Sequence, residues 1–248
     1  RVAVLMHNRV EFPLTWLALA RLGAAMVPLN PQYRAEDAGH ILEHSRAAAV
    51  VVTGDLADRA FDVPVLLAEQ LTGAGQPPAH RVAPEDTVNI QYTSGTTGRP
   101  KGCILSNDYF LLLADWYMNE GGYIRFEPGR TRILTPLPMF HMNALCCSSM
   151  AMIASAGCII QLDRFHPKSW WRDVAESGAT IVHYLGVMPA ILLQLPESEW
   201  DRKHNVVCGF GSNVEPEHHL AFEKRFGFPL VEGWAMTEGG AGSVIMCS

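Results

Sequence analysis

Short apolar runs alternate with amphipathic stretches along most of this chain, and the two periods can be told apart. Residues 2–6 are an unbroken apolar run and predict a strand. Phe12, Trp16, Leu17 and Ala20 then recur at helical spacing, with Gly23 as a stop. Residues 25–29 predict a second strand, ended by Pro28 and the turn Asn30-Pro31. Residues 35–45 read as a helix, and 48–53 as an apolar strand of the kind covered on both faces. Gly73, Gly75, Pro77, Pro78 and Pro84 crowd into one linker, which allows a subdomain junction near 71–86. A strand at 87–93, a Gly-rich loop, a short strand and a helix from about Asn107 follow. Later strands are expected at 132–135, 158–162, 180–183, 206–210 and 230–232, with helices at 168–177, 187–195 and 215–226. This alternation predicts an α/β fold of layered, largely parallel sheets with flanking helices.

Composition narrows the function classes. Hydrophobic residues make up 48% and charged residues 18% of the 248, a globular balance able to bury a substantial core. The net charge of -6 argues against nucleic acid as a partner, since phosphate backbones want a basic surface. A small anion needs only one local cation. Cys103, Cys146, Cys147, Cys158, Cys208 and Cys247 form no C-x-x-C pair and no zinc spacing, so reduced, mostly buried thiols of a cytoplasmic protein are expected. The stretch 144–160 is interrupted by serines and Gly157 and reads as core helix plus strand, not as a membrane span. Arg1 at one end and the strand-like Val244-Ile245-Met246 near the other suggest a piece of a longer chain.

The strongest chemical signal is Tyr92-Thr93-Ser94-Gly95-Thr96-Thr97-Gly98-Arg99-Pro100-Lys101-Gly102. Its glycines let the backbone approach an anion. Ser94, Thr96 and Thr97 offer hydroxyl donors, Lys101 adds a positive charge, and successive N–H groups can form an anion-binding nest. A Walker loop needs four residues between its glycines and a Gly-Lys-Ser/Thr ending; here two residues separate Gly95 from Gly98, and Lys101 follows proline. A P-loop NTPase is therefore disfavoured. Read alone, the shorter Gly-Thr-Thr-Gly pattern is equally a surface turn.

The run 93–102 resembles the phosphate-binding signature of the adenylate-forming superfamily: acyl-CoA synthetases, luciferases and peptide-synthetase adenylation domains. Glu232-Gly233-Trp234-Ala235-Met236-Thr237-Glu238 resembles that family's Gly-Tyr-Gly-x-Thr-Glu segment. By this resemblance Thr93, Ser94, Gly95, Thr96, Thr97, Gly98 and Lys101 hold the β- and γ-phosphates of ATP. Trp234 stands where a tyrosine stacks on adenine, with Glu232, Gly233, Ala235 and Met236 around it. Thr237 meets the α-phosphate and Glu238 holds Mg²⁺. Thr97, Lys101, His141, Thr237 and Glu238 are the expected catalytic set. Pro136-Leu137-Pro138-Met139-Phe140-His141 resembles the segment near the acyl pocket, with His141 close to the incoming carboxylate; read alone, His141 is more simply a structural histidine. Gly209-Phe210-Gly211-Ser212-Asn213 resembles the turn between acyl pocket and adenine, with Ser212 and Asn213 departing from the usual residues. Tyr184, Gly186 and Val187 lie where acyl-pocket residues fall. His218 and His219 are expected on a solvated helix face.

What the resemblance implies is attack of a carboxylate on ATP, giving an acyl-adenylate and pyrophosphate, then transfer to coenzyme A. The wording around His141 and Trp234 is most like carnitine or crotonobetaine–CoA ligases. The chain is expected to be part of the large N-terminal domain, with the C-terminal domain absent and the fragment inactive alone. A small-molecule carboxylate is the expected partner, in fatty-acid-type metabolism, and a homodimer is allowed. The alternatives are a non-catalytic nucleotide-binding homologue, or a luciferase-type or peptide-synthetase-type adenylation domain.

Overall fold

A computed structural model describes residues 1–59, 61–71, 73, 75, 81–93 and 98–246. The chain divides into two units, Arg1–Leu111 with Met139–Met142, and Leu112–Pro138 with Asn143–Ser248. The stretch 71–86 falls inside the first unit, and the division comes at Leu111, within the helix α3 (Asn107–Asn119).

The first unit is built on β1 (Val2–Leu5), β2 (Met26–Leu29), β3 (Ala49–Val52), β4 (Val65–Leu67), β5 (Thr87–Thr93) and β6 (Lys101–Ser106). Their order is β4-β3-β1-β2-β5-β6, parallel throughout except at β5/β6. The central strands are apolar on both faces, and Ala3, Leu5, Val27, Leu29, Val50 and Val52 join Ile41 and Leu42 in one buried core. Helices α1 (Glu11–Arg21) and α2 (Ala35–Ser45) flank this sheet. In α1 the buried face is Phe12, Thr15, Trp16 and Leu19, whereas Leu17 is exposed. At 100° per residue Leu17 lies about 140° from Phe12, too far round to share its face. The second strand also runs through Pro28 rather than ending there. Its ladder with β1 is complete while that with β5 is reduced to Met26↔Asn89, the arrangement in which a residue lacking an N–H is tolerated.

The second unit carries β7 (Arg132–Thr135), β8 (Cys158–Gln161), β9 (Ile181–His183), β10 (Cys208–Gly211), β11 (Leu230–Met236) and β12 (Gly240–Met246). The order is β12-β11-β10-β9-β7-β8, antiparallel only at β11/β12. The chain steps from β7 to β8 on one side and then builds β9, β10 and β11 on the other, so the strand order reverses between β7 and β9. Asn143–Met150, after β7, is a π-helical segment leading into α4 (Ala151–Ala154). Ser148 and Ser149 hydroxyls reach carbonyls five residues back, at Asn143 (3.5 Å) and Ala144 (2.9 Å). Helices α5 (Trp170–Ser177), α6 (Val187–Gln194) and α7 (Pro216–Phe226) complete the unit. Pro216 opens α7 and Gly227, at φ 87°, closes it. Trp171 stacks on Phe226, and Phe222 and Phe228 pack beside them. Among the described residues no helix is long and apolar enough to cross a membrane.

Candidate functional site

Each unit holds part of the residue set singled out in the sequence. In the first, β5 and β6 form a hairpin in which Thr93 faces Lys101 and Tyr92 faces Gly102. Thr93 and Lys101 thus face each other at the carboxyl end of β5, which pairs in parallel with β2, the end of an α/β sheet where ligands bind. Ser94, Gly95, Thr96 and Thr97 lie outside the described residues. Gly98 has φ 154°, a conformation that L side chains rarely adopt, and Lys101 is exposed.

Two histidines one turn apart on α2 support this hairpin. His44 Nδ1 lies 2.7 Å from the Tyr92 hydroxyl, and the Arg99 guanidinium donates to His40 Nδ1 at 3.4 Å. Burial raises the Tyr92 phenol, so its hydroxyl keeps its proton beside the imidazole. The segment Met139–Met142 belongs to the same unit. Gln91 Nε2 donates to the Phe140 carbonyl at 2.5 Å, and Asn8 Oδ1 accepts from Met139 N–H at 2.9 Å. His141 is thereby fixed beside the carboxyl ends of β1 and β5. Its ring reaches the surface beside Phe140, and desolvation on its protein-facing side lowers the imidazole below its ordinary value, leaving it neutral at pH 7.

In the second unit the turn after β10 is held from three sides. A Cβ on Gly211 would lie 2.3 Å from the Tyr184 carbonyl oxygen and 2.5 Å from its ring. A Cβ on Gly186 would lie 1.6 Å from the Asn213 carbonyl oxygen, so only glycine lets the turn seat there. Asn213 itself is left-handed, at φ 62°, a region asparagine enters more readily than most residues. From β11, Glu232 Oε1 accepts from Val214 N–H at 2.7 Å and faces His219 Nε2 at 3.2 Å. Tyr184 is buried, its hydroxyl donating to the Val231 carbonyl at 3.0 Å, while Val187 is exposed. Gly233 lies tight on the Phe210 ring. Beyond it the β11–β12 hairpin projects. Trp234 is 60% exposed and Met236 50%, with Ala235 and Glu238 also exposed and Thr237 half-buried at the tip.

The profile of the family described as AMP-binding enzyme matches residues 1–247. The chain belongs to the AMP-binding enzyme family. A curated relative, the crotonobetaine/carnitine–CoA ligase of Escherichia coli O9:H4 (strain HS), is 30% identical over 265 residues, covering 96% of this chain and 50% of the relative. The chain thus spans about half the length of the curated relatives it matches. Among solved structures, a malonyl-CoA ligase product complex with methylmalonyl-CoA and AMP bound superposes with TM-score 0.87 at 21% identity, covering 99% of this chain and 54% of that one. The N-terminal domain of FACL13 from Mycobacterium tuberculosis gives 0.86 at 25%, covering 99% and 65%.

As a member of this family, the chain has two features that its sequence left unread. His219 is buried, not solvated, because it shares a helical face with Phe222 and Phe226, at i, i+3 and i+7. That spacing was visible, but the polar neighbours masked it. His183 is buried beside Tyr117, a pairing of distant segments for which the sequence carries no signal.

Proposed function

We propose that this chain serves ATP-dependent activation of a carboxylic acid: the carboxylate attacks the α-phosphate, an acyl-adenylate forms, pyrophosphate leaves, and the thiol of coenzyme A then takes the acyl group. The observation that carries this reading is the β5–β6 hairpin, with Thr93 facing Lys101 at the neck of the Gly/Thr segment in an AMP-binding enzyme. The printed names of similar proteins, ligases joining acids to coenzyme A, support the acceptor.

An in-line displacement on phosphorus needs positioning and charge neutralisation more than a protein nucleophile. Lys101 offsets phosphate charge as pyrophosphate leaves, and the segment from Thr93 to Gly98 supplies donors. Trp234 gives a purine an aromatic plane, and Thr237 gives the α-phosphate a hydroxyl. Glu232 acts by holding the Val214 N–H and so the Gly211–Ser212–Asn213 turn. His141, being neutral, can lie near the acid without locking it into an ion pair. Among the described residues no three ligating side chains cluster, and Glu238 is a lone exposed carboxylate. That donor set fits Mg²⁺, which takes one or two carboxylates and fills its other positions with water and phosphate oxygens. When bound, the ion would neutralise phosphate charge. We read the chain as part of a larger N-terminal domain acting in the cytoplasm, and as inactive by itself.

The test is carboxylate-dependent ATP–pyrophosphate exchange with the whole protein, over short to medium acids. Exchange with at least one acid is expected, and Lys101→Ala should reduce it about a hundred-fold, the scale of losing one charged stabiliser of the transition state. ATP binding without exchange on any acid would exclude this reading.

A further inference from the structure

A buried hydrogen-bond chain sits where the strand order of the second sheet reverses. His183 is the last residue of β9, and Asn143 opens the π-helical segment after β7. Such a reversal, at the carboxyl ends of the strands, is where open α/β sheets receive ligands. Tyr117 Oη lies 2.8 Å from His183 Nε2. On the other side of the ring, Ser148 Oγ is 2.9 Å and Asn143 Oδ1 3.1 Å from Nδ1.

The direction of each bond follows from what each atom can do. His183 is wholly buried, and burial lowers it to about 3, so the ring is neutral with one proton. Tyr117 is also wholly buried and keeps its phenol proton. Its hydroxyl bonds only His183 among the described residues, and a buried O–H without an acceptor is strongly disfavoured. Tyr117 therefore donates to Nε2, and the ring proton sits on Nδ1. That proton goes to Asn143 Oδ1, shared with Ser148 Oγ. The amide oxygen of Asn143 is thus turned to the imidazole, and its Nδ2 is directed away with two protons to give. Among the described residues nothing accepts them, and Asn143 is half-buried while the rest of its segment is buried. Among the described residues no Asp or Glu hydrogen-bonds to any of the four, so the group is neutral.

We propose that Asn143 is a specificity-determining residue that reads the non-reacting part of the acid, oriented by Tyr117 and His183 as positioning residues. The acid it selects carries an oxygen acceptor there, a carbonyl, hydroxyl or second carboxylate. A quaternary ammonium has no lone pair to offer and would meet the positive end of the amide dipole. This rests on the acid-activating reading above, and it separates this chain from the trimethylammonium acids named for its relatives.

The experiment is the exchange assay on the whole protein with acids of matched length ending in methyl, hydroxyl, ketone, carboxylate or trimethylammonium. We expect kcat/KM for an oxygen-bearing acid to exceed those for the methyl and trimethylammonium acids about ten-fold or more, the scale of one buried hydrogen bond. Asn143→Leu should erase that preference and Asn143→Asp should turn it toward trimethylammonium. Tyr117→Phe, which releases the ring proton from Nδ1, should weaken the preference through KM. Equal rates across the panel, or a trimethylammonium preference in the unmodified protein, overturn the inference without any variant. Absence of exchange with every acid overturns the acid-activating reading and this inference with it.

Discussion

Single side chains here do their work by being neutral where water is absent. His183 is lowered to about 3 by burial, against an ordinary value near 6.5. The folded state therefore resists a proton that the unfolded chain accepts, and stability present above about pH 6.5 is lost as pH falls toward 3. Between pH 7 and pH 5 this group alone should remove about 2 kcal/mol. His141 and His204, also lowered by desolvation, act in the same direction. Urea midpoints across that range measure the total, and His183→Gln should flatten the part belonging to His183. An unchanged slope in that variant would show that the buried ring is not its source.

At the scale of elements, close approach and capping hold the second unit in register. Gly186 precedes α6 and touches the Asn213 carbonyl, so Gly186→Ala forces backbone apart rather than a side chain. We expect a loss of about 1–3 kcal/mol, seen as a lowered denaturation midpoint. Arg225 on α7 pairs with Asp201 at 2.8 Å and donates to the carbonyls of Leu193 (3.1 Å), Leu195 (2.8 Å) and Pro196 (2.9 Å). These carbonyls lie at the end of α6 and, for Pro196, just beyond it, where a cation is well placed. Both side chains of the pair are largely buried, so Arg225→Leu leaves a carboxylate uncompensated and should cost about 3–5 kcal/mol. Equal stability of Arg225→Leu and the unmodified chain would mean that Asp201 finds another partner.

For the whole molecule, holding nucleotide and turning it over are separate demands. The chain spans about half the length of its curated relatives. The 248-residue chain alone should show no carboxylate-dependent AMP formation above background while the whole protein does. Turnover by the isolated chain at the rate of the whole protein would place all the needed groups within it.

The sequence by itself determined the layered α/β class, the strand at Thr87–Thr93, the helix from Asn107 and the family, since these depend on local period and on one contiguous run around Lys101. Apolar runs and a Gly/Thr/Lys segment are properties of neighbours along the chain. It misjudged the buried face of α1 by counting Leu17, and it placed His219 in solvent, because helical faces are settled by which rows meet a partner. Only the tertiary structure decided that Glu232 grips the Val214 N–H, that His40 and His44 back the β5–β6 hairpin, and that Asn143 Oδ1 meets the buried His183 ring. Each of these joins residues from separate segments, and the direction of each bond comes from burial, which excludes water and leaves every polar atom only the partners the fold supplies.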